Sequence, residues 1–108
     1  MGTISNWAVV FAQIYIEGSK FSPAPFLVQL RDSETHMPMK GIRSGDMGPK
    51  LGWNSKENGW MQFDHVRIPR TQMLSKFVSV DREGCFSVEG DLRVLYGTMM
   101  SIRALLVE

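Results

Sequence analysis

One strand pattern near the start of the chain limits the folds open to it. Residues 7–16 read WAVVFAQIYI, a run rich in β-branched and aromatic side chains with no charge, glycine or proline, which is typical of a β-strand. Because side chains alternate across a strand, one face holds apolar residues alone and must meet a core. This inward face comprises Ala8, Val10, Ala12, Ile14 and Ile16. The outward face comprises Val9, Phe11, Gln13 and Tyr15.

Further strands are expected between turn-forming residues. They are predicted over residues 26–31, 42–47 and 60–68, with a hairpin over residues 77–88. Residues 17–20 form a polar turn, and Pro23 and Pro25 argue against a regular ladder before residue 26. Gly84 suits a position with φ > 0 in the hairpin turn. These strands would pair antiparallel.

The period changes near the C-terminus. From Leu92 onward apolar residues recur at helical spacing, and Asp91 is a plausible N-cap. The apolar stripe consists of Leu95, Met99, Ile102 and Leu106. The sequence therefore predicts a mainly β fold, a small antiparallel β-barrel or sandwich that hides its edges, with a C-terminal helix starting near residue 91. We divide it into a β domain over residues 1–90 and the start of a helical domain over residues 91–108.

Length and charge exclude several classes of protein. The 108 residues suffice for one small domain. A net charge of +1, from 12 basic and 11 acidic residues, gives no basic excess, so nucleic acid is not an expected partner. We expect no membrane span and no targeting signal. A single cysteine excludes an internal disulfide framework. The abrupt ends predict a fragment of a longer protein or a short product of a longer gene.

Few residues have the surroundings that catalysis needs. Cys85 has no histidine near it in sequence, so a structural thiol is favoured over a nucleophile. His36 lies in a polar loop, where a solvated side chain is the simpler interpretation. His65 follows Asp64 within a predicted strand, and neighbours in a strand point to opposite faces, so Asp64 is not expected to orient it. A structural histidine is favoured there over a catalytic base, and no metal site is expected.

A series of motifs gives the chain a family resemblance. The sequence reads GDMGPK at residues 45–50, ENG at 57–59, FDHVRIPR at 63–70 and ML at 73–74. Together these motifs resemble the middle β-barrel domain of the peroxisomal acyl-CoA oxidases, within the acyl-CoA dehydrogenase superfamily. The likeness extends to TISNWA at residues 3–8, FLVQLR at 26–31 and YGTM at 96–99. Nearly the whole chain is covered, in order.

The resemblance implies a flavoenzyme of fatty-acid β-oxidation. Members of the family bind FAD, convert acyl-CoA and oxygen to trans-2-enoyl-CoA and hydrogen peroxide, act in the peroxisome and are expected to form homodimers. Their catalytic glutamate and most flavin-contacting segments lie outside the matched motifs. The resemblance therefore assigns no catalytic residue to this chain. It predicts a fragment that supplies part of the flavin and acyl-CoA cleft, is inactive alone, and has acyl-CoA and the rest of the oxidase chain as partners.

The resemblance also carries over a few binding positions. Gly2, Asn54 and Asn58 are expected to contact FAD. Gly2 aligns with the last glycine of the family's WPGGLGK-like segment, and the two asparagines offer amide groups. Ser55 and Arg103 are expected to contact the CoA substrate. The alternatives are turn formation for the loop residues and an ordinary surface charge for the arginine.

Trp53 and Trp60 are expected to pack in the core rather than line a cleft. A different class of function stays open, a non-enzymatic β interaction module that pairs through exposed strand edges and the apolar face from Leu95 to Leu106. A small-molecule-binding barrel without flavin chemistry is a third hypothesis.

Overall fold

The structure is a computed structural model that describes residues 3–105, apart from the side chains of residues 98, 99 and 102. In chain order the elements are β1 (Trp7–Ile16), β2 (Ser19–Gln29), β3 (Ile42–Asp46), β4 (Gly59–Phe63), a 3₁₀ turn (Arg70–Gln72), β5 (Val78–Val80), β6 (Phe86–Val88) and α1 (Leu92–Leu105). The predicted mainly β class is confirmed. The predicted barrel is wrong, because the described strands form three separate antiparallel pairs, β1–β2, β3–β4 and β5–β6.

The β1–β2 hairpin is the longest ladder in the structure. Glu17 and Gly18, with φ of 51° and 81°, form a two-residue turn whose twist matches that of two antiparallel strands. The ladder runs from this turn to Trp7 opposite Gln29, with one register shift after Gln13. The strand predicted over residues 7–16 is confirmed at both ends.

β2 begins at Ser19, well before the predicted residue 26, and includes both prolines. The carbonyl oxygen of Pro25 accepts a hydrogen bond from the Leu74 amide at 3.0 Å, on the side of β2 away from β1. The N–H and C=O positions of one residue in an antiparallel strand point to the same side. Pro25 therefore points away from β1, and so does Pro23, two residues before it. The backbone N–H groups that these prolines lack would not have bonded to β1. The ladder has its register shift beside Pro23, between the pairs Gln13–Pro23 and Tyr15–Lys20. The expected irregularity is therefore present, although β2 runs through both prolines.

The inward face of β1 lies in the core, as predicted. Ile14 is 8% exposed, and the other four residues of that face are half-buried. The outward side chains of Trp7, Val9, Phe11 and Tyr15 are exposed.

Two apolar clusters make up the core beneath the β1–β2 hairpin. One is built on Ile14, Ala24, Met73 and Val78, and the other on Val28, Leu30 and Ile42. Phe26 packs against both clusters, so the two are continuous. The hairpin is thus the structural centre on which the later strands rest.

β3 and β4 form a shorter and more exposed hairpin. Trp60 lies opposite Gly45, and a Cβ on that glycine would come within 2.7 Å of the indole ring. The indole therefore covers the glycine across the ladder instead of entering the core. Trp60 is 46% and Trp53 77% exposed, so the predicted core packing of both tryptophans is wrong. β4 ends at Phe63 rather than at the predicted residue 68.

The hairpin predicted over residues 77–88 is confirmed as β5 and β6. Gly84 has a φ of 83°, in the left-handed region expected for it. Its amide donates to the Asp81 carbonyl at 3.1 Å, which closes the turn. The rings of Phe21 and Phe86 lie 4.7 Å apart, so this hairpin packs against the N-terminal part of β2.

α1 begins at Leu92, in agreement with the predicted start near residue 91. Asp91 caps it, because its Oδ1 accepts from the Arg93 amide at 2.9 Å. The ring of Tyr96 stacks on Phe11 with centroids 6.1 Å apart, so α1 lies beside the outward face of β1. Among the described residues, no helix is long and apolar enough to cross a membrane.

The structure describes the side chain of one member of the apolar stripe predicted along this helix. Leu95 is half-buried, in keeping with an apolar contact there. The side chains of the next two members are not described, and Leu106 lies outside the described residues.

Candidate functional site

A cleft of about 820 Å³ lies between two segments of the chain. One wall is the turn before β3, with Lys40 and Gly41, and the other is the chain over residues 64–69. Gln29 and Gln72 add polar amide groups to the lining. Ligand sites in proteins are usually concave with a few convergent polar groups, so this cleft is a candidate binding site.

A backbone contact holds the two walls together. The amide of Asp64 donates to the Gly41 carbonyl at 2.8 Å, and Gly41 has a φ of 85°. A Cβ at Gly41 would overlap the Asp64 carbonyl oxygen, so glycine alone fits this crossing. This bond continues the register of the β3–β4 ladder by one pair beyond Ile42–Phe63, and the chain leaves the ladder after it.

The same turn brings Asp64 and His65 together. His65 has a φ of 50°, and its Nδ1 lies 2.6 Å from Asp64 Oδ1. The prediction that Asp64 cannot orient His65 is wrong, because it assumed a strand that continued to residue 68. The side chains of His65 and Asp64 are 98% and 70% exposed, so the pair sits in solvent at the mouth of the cleft.

The chemistry available in the cleft is binding and proton exchange. A carboxylate beside an imidazole fixes its tautomer and leaves the second ring nitrogen for another partner. The lining has no serine, threonine or cysteine to act as a nucleophile. Residues 3–105 hold no group of three side chains able to ligate a metal. Lys40 and Arg67 supply the remaining charges of the lining, so the cleft suits a polar or anionic group.

The loop predicted to contact the cofactor, residues 52–59, is a separate and exposed feature. Asn54 Oδ1 accepts from the Lys50 amide at 2.8 Å, and the Asn58 carbonyl accepts from the Met47 amide at 3.0 Å. These two bonds close the loop on itself, which is the turn-forming role given as the alternative. The side chain of Ser55 is exposed. Contacts of these residues with a cofactor or substrate stay predictions.

A second set of contacts fixes the tip of this loop. Glu57 accepts hydrogen bonds from both the amide and the hydroxyl of Thr3. The Thr3 hydroxyl holds the pKa of the Glu57 carboxyl below its usual value, because its hydrogen bond stabilises the charged form. Trp53, with a φ of 60°, projects its indole outward from the same loop. The loop is therefore ordered at its end and presents an aromatic surface to solvent.

Arg103 lies in the last turn of α1 and is exposed. A cation there is favoured by the helix C-terminus, which agrees with the alternative of an ordinary surface charge. Gly2 lies outside the described residues. Asn54, Ser55, Asn58 and Arg103 do not line the cleft, so the predicted binding residues and the observed concavity are different sets.

Sequence reasoning missed the cleft because it extended β4 too far. A signal was available in the FDHVRIP motif, since aspartate is depleted in strands. A strand break at Asp64 would have left residues 64–69 available as a wall. The partner wall around Gly41 carries no comparable local signal, because its role depends on a contact between distant residues.

Comparison with known proteins gives a consistent result. No protein-family model matches the chain. The peroxisomal acyl-coenzyme A oxidase 1 of Dictyostelium discoideum is 38% identical over 114 aligned residues, which cover all of this chain and 16% of that protein. The chain thus spans about 16% of the length of the curated relatives it matches.

Solved structures agree in fold as well as sequence. Acyl-CoA oxidase 1 of Arabidopsis thaliana superposes with a TM-score of 0.86 at 42% identity, covering 98% of this chain and 17% of that one. Acyl-CoA oxidase-2 of Caenorhabditis elegans superposes with a TM-score of 0.87 at 36% identity, covering 94% of this chain and 15% of that one. The latter was solved bound with FAD, ascaroside-CoA and ATP.

Proposed function

The chain belongs to the acyl-CoA oxidase family as a domain-sized segment, and from this premise we propose that it forms part of the flavin and acyl-CoA cleft of an FAD-dependent oxidase. The observation that carries the proposal is the match over 98% of the chain at a TM-score of 0.86 and 42% identity. The proposed overall reaction converts acyl-CoA and oxygen to trans-2-enoyl-CoA and hydrogen peroxide. FAD, when bound, supplies the redox chemistry.

The exposed groups of the 52–59 loop fit a supporting role beside such a cofactor. The Ser55 hydroxyl and the Asn58 amide are exposed, and both are hydrogen-bonding groups. Asn54 has Oδ1 engaged by the Lys50 amide, so it would act by holding the shape of the loop. These residues would form one edge of a cofactor site whose remaining walls come from other parts of the oxidase chain.

We assign no catalytic residue to this chain and expect it to be inactive alone. The cleft beside Asp64 and His65 lacks a nucleophile among its lining residues. Residues 1–90 would belong to the β domain and residues 91–108 to the start of the helical domain, in line with the start of α1 at Leu92. Arg103 would approach the CoA portion of the substrate once the helical region is complete.

The partners and location follow from the same premise. Acyl-CoA would be the substrate, and the rest of the oxidase chain the main protein partner, within a homodimeric enzyme. The Dictyostelium relative is a peroxisomal acyl-coenzyme A oxidase, which supports a peroxisomal location for the parent protein.

A segment exchange tests the proposal directly. Residues 3–105 would replace the matched segment of the Dictyostelium oxidase, and the purified chimera would be assayed for bound FAD and for peroxide production from acyl-CoA. We expect the chimera to retain the flavin and oxidase activity. A folded chimera that loses its flavin would contradict the proposal.

Matched variants of the chimera test the loop. Asn58→Ala and Ser55→Ala remove exposed polar groups from the predicted cofactor edge, whereas Ser33→Ala removes an exposed hydroxyl from the loop before β3. We expect weaker FAD retention or a higher KM for acyl-CoA in the first two and no change in the third. The isolated chain mixed with FAD and acyl-CoA should stay colourless after desalting and produce no peroxide. Flavin retained by the isolated chain would show that the cofactor site is more complete than proposed.

A further inference from the structure

One of the asparagines of the chain precedes a glycine. Asparagines stand at positions 6, 54 and 58, and Gly59 follows the last of them. The backbone nitrogen of the following residue can attack an asparagine carboxamide, and glycine hinders this attack least because it has no Cβ. Asn58 is therefore a candidate site of chemical modification, and its surroundings decide whether the reaction is open to it.

The carboxamide of Asn58 lies in solvent. Asn58 is exposed, and it accepts a hydrogen bond from the Met47 amide through its main-chain carbonyl at 3.0 Å. This bond leaves the side chain unengaged. The carbon that the reaction attacks is thus accessible.

The attacking nitrogen of Gly59 faces away from β3. The bond between Met47 and Asn58 makes these two residues a hydrogen-bonded pair, and the next pair along the ladder is Asp46 and Gly59. Hydrogen-bonded and non-hydrogen-bonded pairs alternate in an antiparallel ladder, so the Gly59 N–H does not bond to β3. Within residues 3–105 β4 pairs with β3 alone. The sheet therefore does not engage this nitrogen.

A bond at the end of the ladder controls the rate. Ring closure turns the peptide between Asn58 and Gly59 about the Cα–C bond of Asn58, which moves the carbonyl away from the Met47 amide. This contact lies just beyond the last β3–β4 pair, beside the loop over residues 52–59. Bonds at the end of an element open at a small cost in free energy. The folded chain should therefore react, although more slowly than the unfolded chain.

We propose that Asn58 is a site of spontaneous deamidation. The Gly59 nitrogen bonds to Asn58 Cγ, the Cγ–Nδ2 bond breaks, and Nδ2 leaves as ammonia with the proton of the Gly59 amide. Water then opens the resulting cyclic imide at either carbonyl, which gives aspartate or isoaspartate at position 58. No oxidant or reductant is needed. The inference is independent of the oxidase proposal, because the reaction requires only this chain and water.

The two products differ in their effect on the loop. Either one adds a carboxylate beside Glu57 and lowers the net charge from +1 to zero. Isoaspartate also inserts a methylene carbon into the main chain just before the Asp46–Gly59 pair, so the contact with Met47 loses its register. We expect aspartate to leave the loop in place and isoaspartate to release it.

The other two asparagines serve as internal controls. Asn54 Oδ1 accepts from the Lys50 amide at 2.8 Å, which fixes its carboxamide, and Ser55 follows it in sequence. Asn6 precedes Trp7, whose side chain hinders attack by its nitrogen. Neither asparagine should react at a rate comparable to that of Asn58.

Ageing of the folded chain in heavy-oxygen water tests the site. The chain is kept in mildly alkaline buffer and then digested in ordinary water with trypsin, which cuts after Lys56 and so separates Asn54 from Asn58. The peptide that begins at Glu57 should lose its amide nitrogen and gain one heavy oxygen, at least about tenfold faster than the other asparagines react. Equal rates at Asn54 and Asn58 would refute the proposal. An Asn58 that reacts in urea but not in the folded chain would refute it as well.

Matched glycine variants test the attacking nitrogen. Gly59→Ala keeps the N–H but adds a methyl group that hinders ring closure, whereas Gly52→Ala adds one in open space on the same loop. Gly59→Ala should slow the reaction at Asn58 at least about tenfold, and Gly52→Ala should leave it unchanged. An isoaspartate methyltransferase should label the aged wild type and Gly52→Ala far more than Gly59→Ala. A folded Gly59→Ala variant that deamidates like the wild type would overturn the proposal.

Discussion

The β1–β2 hairpin and the segment from Gly41 to Pro69 are built on different principles. The hairpin is a long ladder with one turn, and its form follows from local alternation and a two-residue turn. The later segment has a ladder of five residue pairs and then leaves it at a single backbone crossing between Gly41 and Asp64. The hairpin contributes Ile14, Ala24 and Val28 to the buried core, and the later segment carries the cleft and the Asp64–His65 pair.

The difference separates stability from binding within a very small protein. Both core clusters include residues of the hairpin, so its interior determines whether the chain folds. The groups available to a ligand lie instead on exposed chain held by few contacts. A rigid scaffold with polar groups on irregular segments is a common arrangement for binding sites.

The largest expected effect contrasts the two faces of β1. Ile14→Ala removes a side chain that is 8% exposed in the core cluster with Met73 and Val78. It should lower the free energy of unfolding by about 2–5 kcal/mol. Tyr15→Ala, on the outward face and 63% exposed, should change it by less than about 0.5 kcal/mol. Urea denaturation followed by circular dichroism measures both.

A milder variant guards against complete loss of folding. Ile14→Val deletes one methyl group and should cost about 0.5–1.5 kcal/mol. Equal costs for the inward and outward substitutions would show that the hairpin does not hold the core as its burial pattern indicates.

The second prediction compares one substitution in the two regions. Gly18, in the hairpin turn, and Gly41, at the crossing, have similar φ of 81° and 85°. An alanine in this left-handed region costs about 1–2 kcal/mol at either position. At Gly18 the added Cβ would meet nothing within 4 Å, whereas at Gly41 it would overlap the Asp64 carbonyl oxygen. Gly41→Ala should therefore cost a further ~1–3 kcal/mol.

The same variant tests the cleft. If the crossing positions the wall over residues 64–69, Gly41→Ala should also move the NMR signals of His65 and Arg67, and Gly18→Ala should leave them in place. Equal unfolding free energies for the two variants would indicate that the Gly41–Asp64 contact does not constrain the chain.

The two regions also differ in how far sequence predicts them. The alternation over residues 7–16 indicates both the strand and its buried face, because a strand repeats every two residues regardless of its partner. The hairpin turn at Gly84 and the cap at Asp91 are equally local. The break at Asp64 has one local signal, the depletion of aspartate in strands, but the contact of Asp64 with Gly41, more than twenty positions away, has none. The separation of the strands into three sheets is likewise a matter of long-range packing.

The smallest expected effect concerns the loop that joins the two regions. The amides of Thr35 and Glu34 donate to Asp32 Oδ1 at 2.9 and 2.8 Å, and the pKa of this carboxyl is held below its ordinary value of 3.8, by Thr35 first. The unfolded chain then binds the proton more readily than the folded chain, so Asp32 stabilises the fold above pH ~3.8 and loses this effect as the pH falls through the lowered pKa.

Asp32→Asn keeps an oxygen acceptor but cannot titrate in this range. The wild type should therefore have the higher urea midpoint at pH ~7, and the gap should close as the pH falls below the lowered pKa of Asp32. Glu34→Gln, two positions further along the same loop, is the matched control. A gap between wild type and Asp32→Asn that persists undiminished in acid would show that the loop between the hairpin and the cleft is not held by this charge.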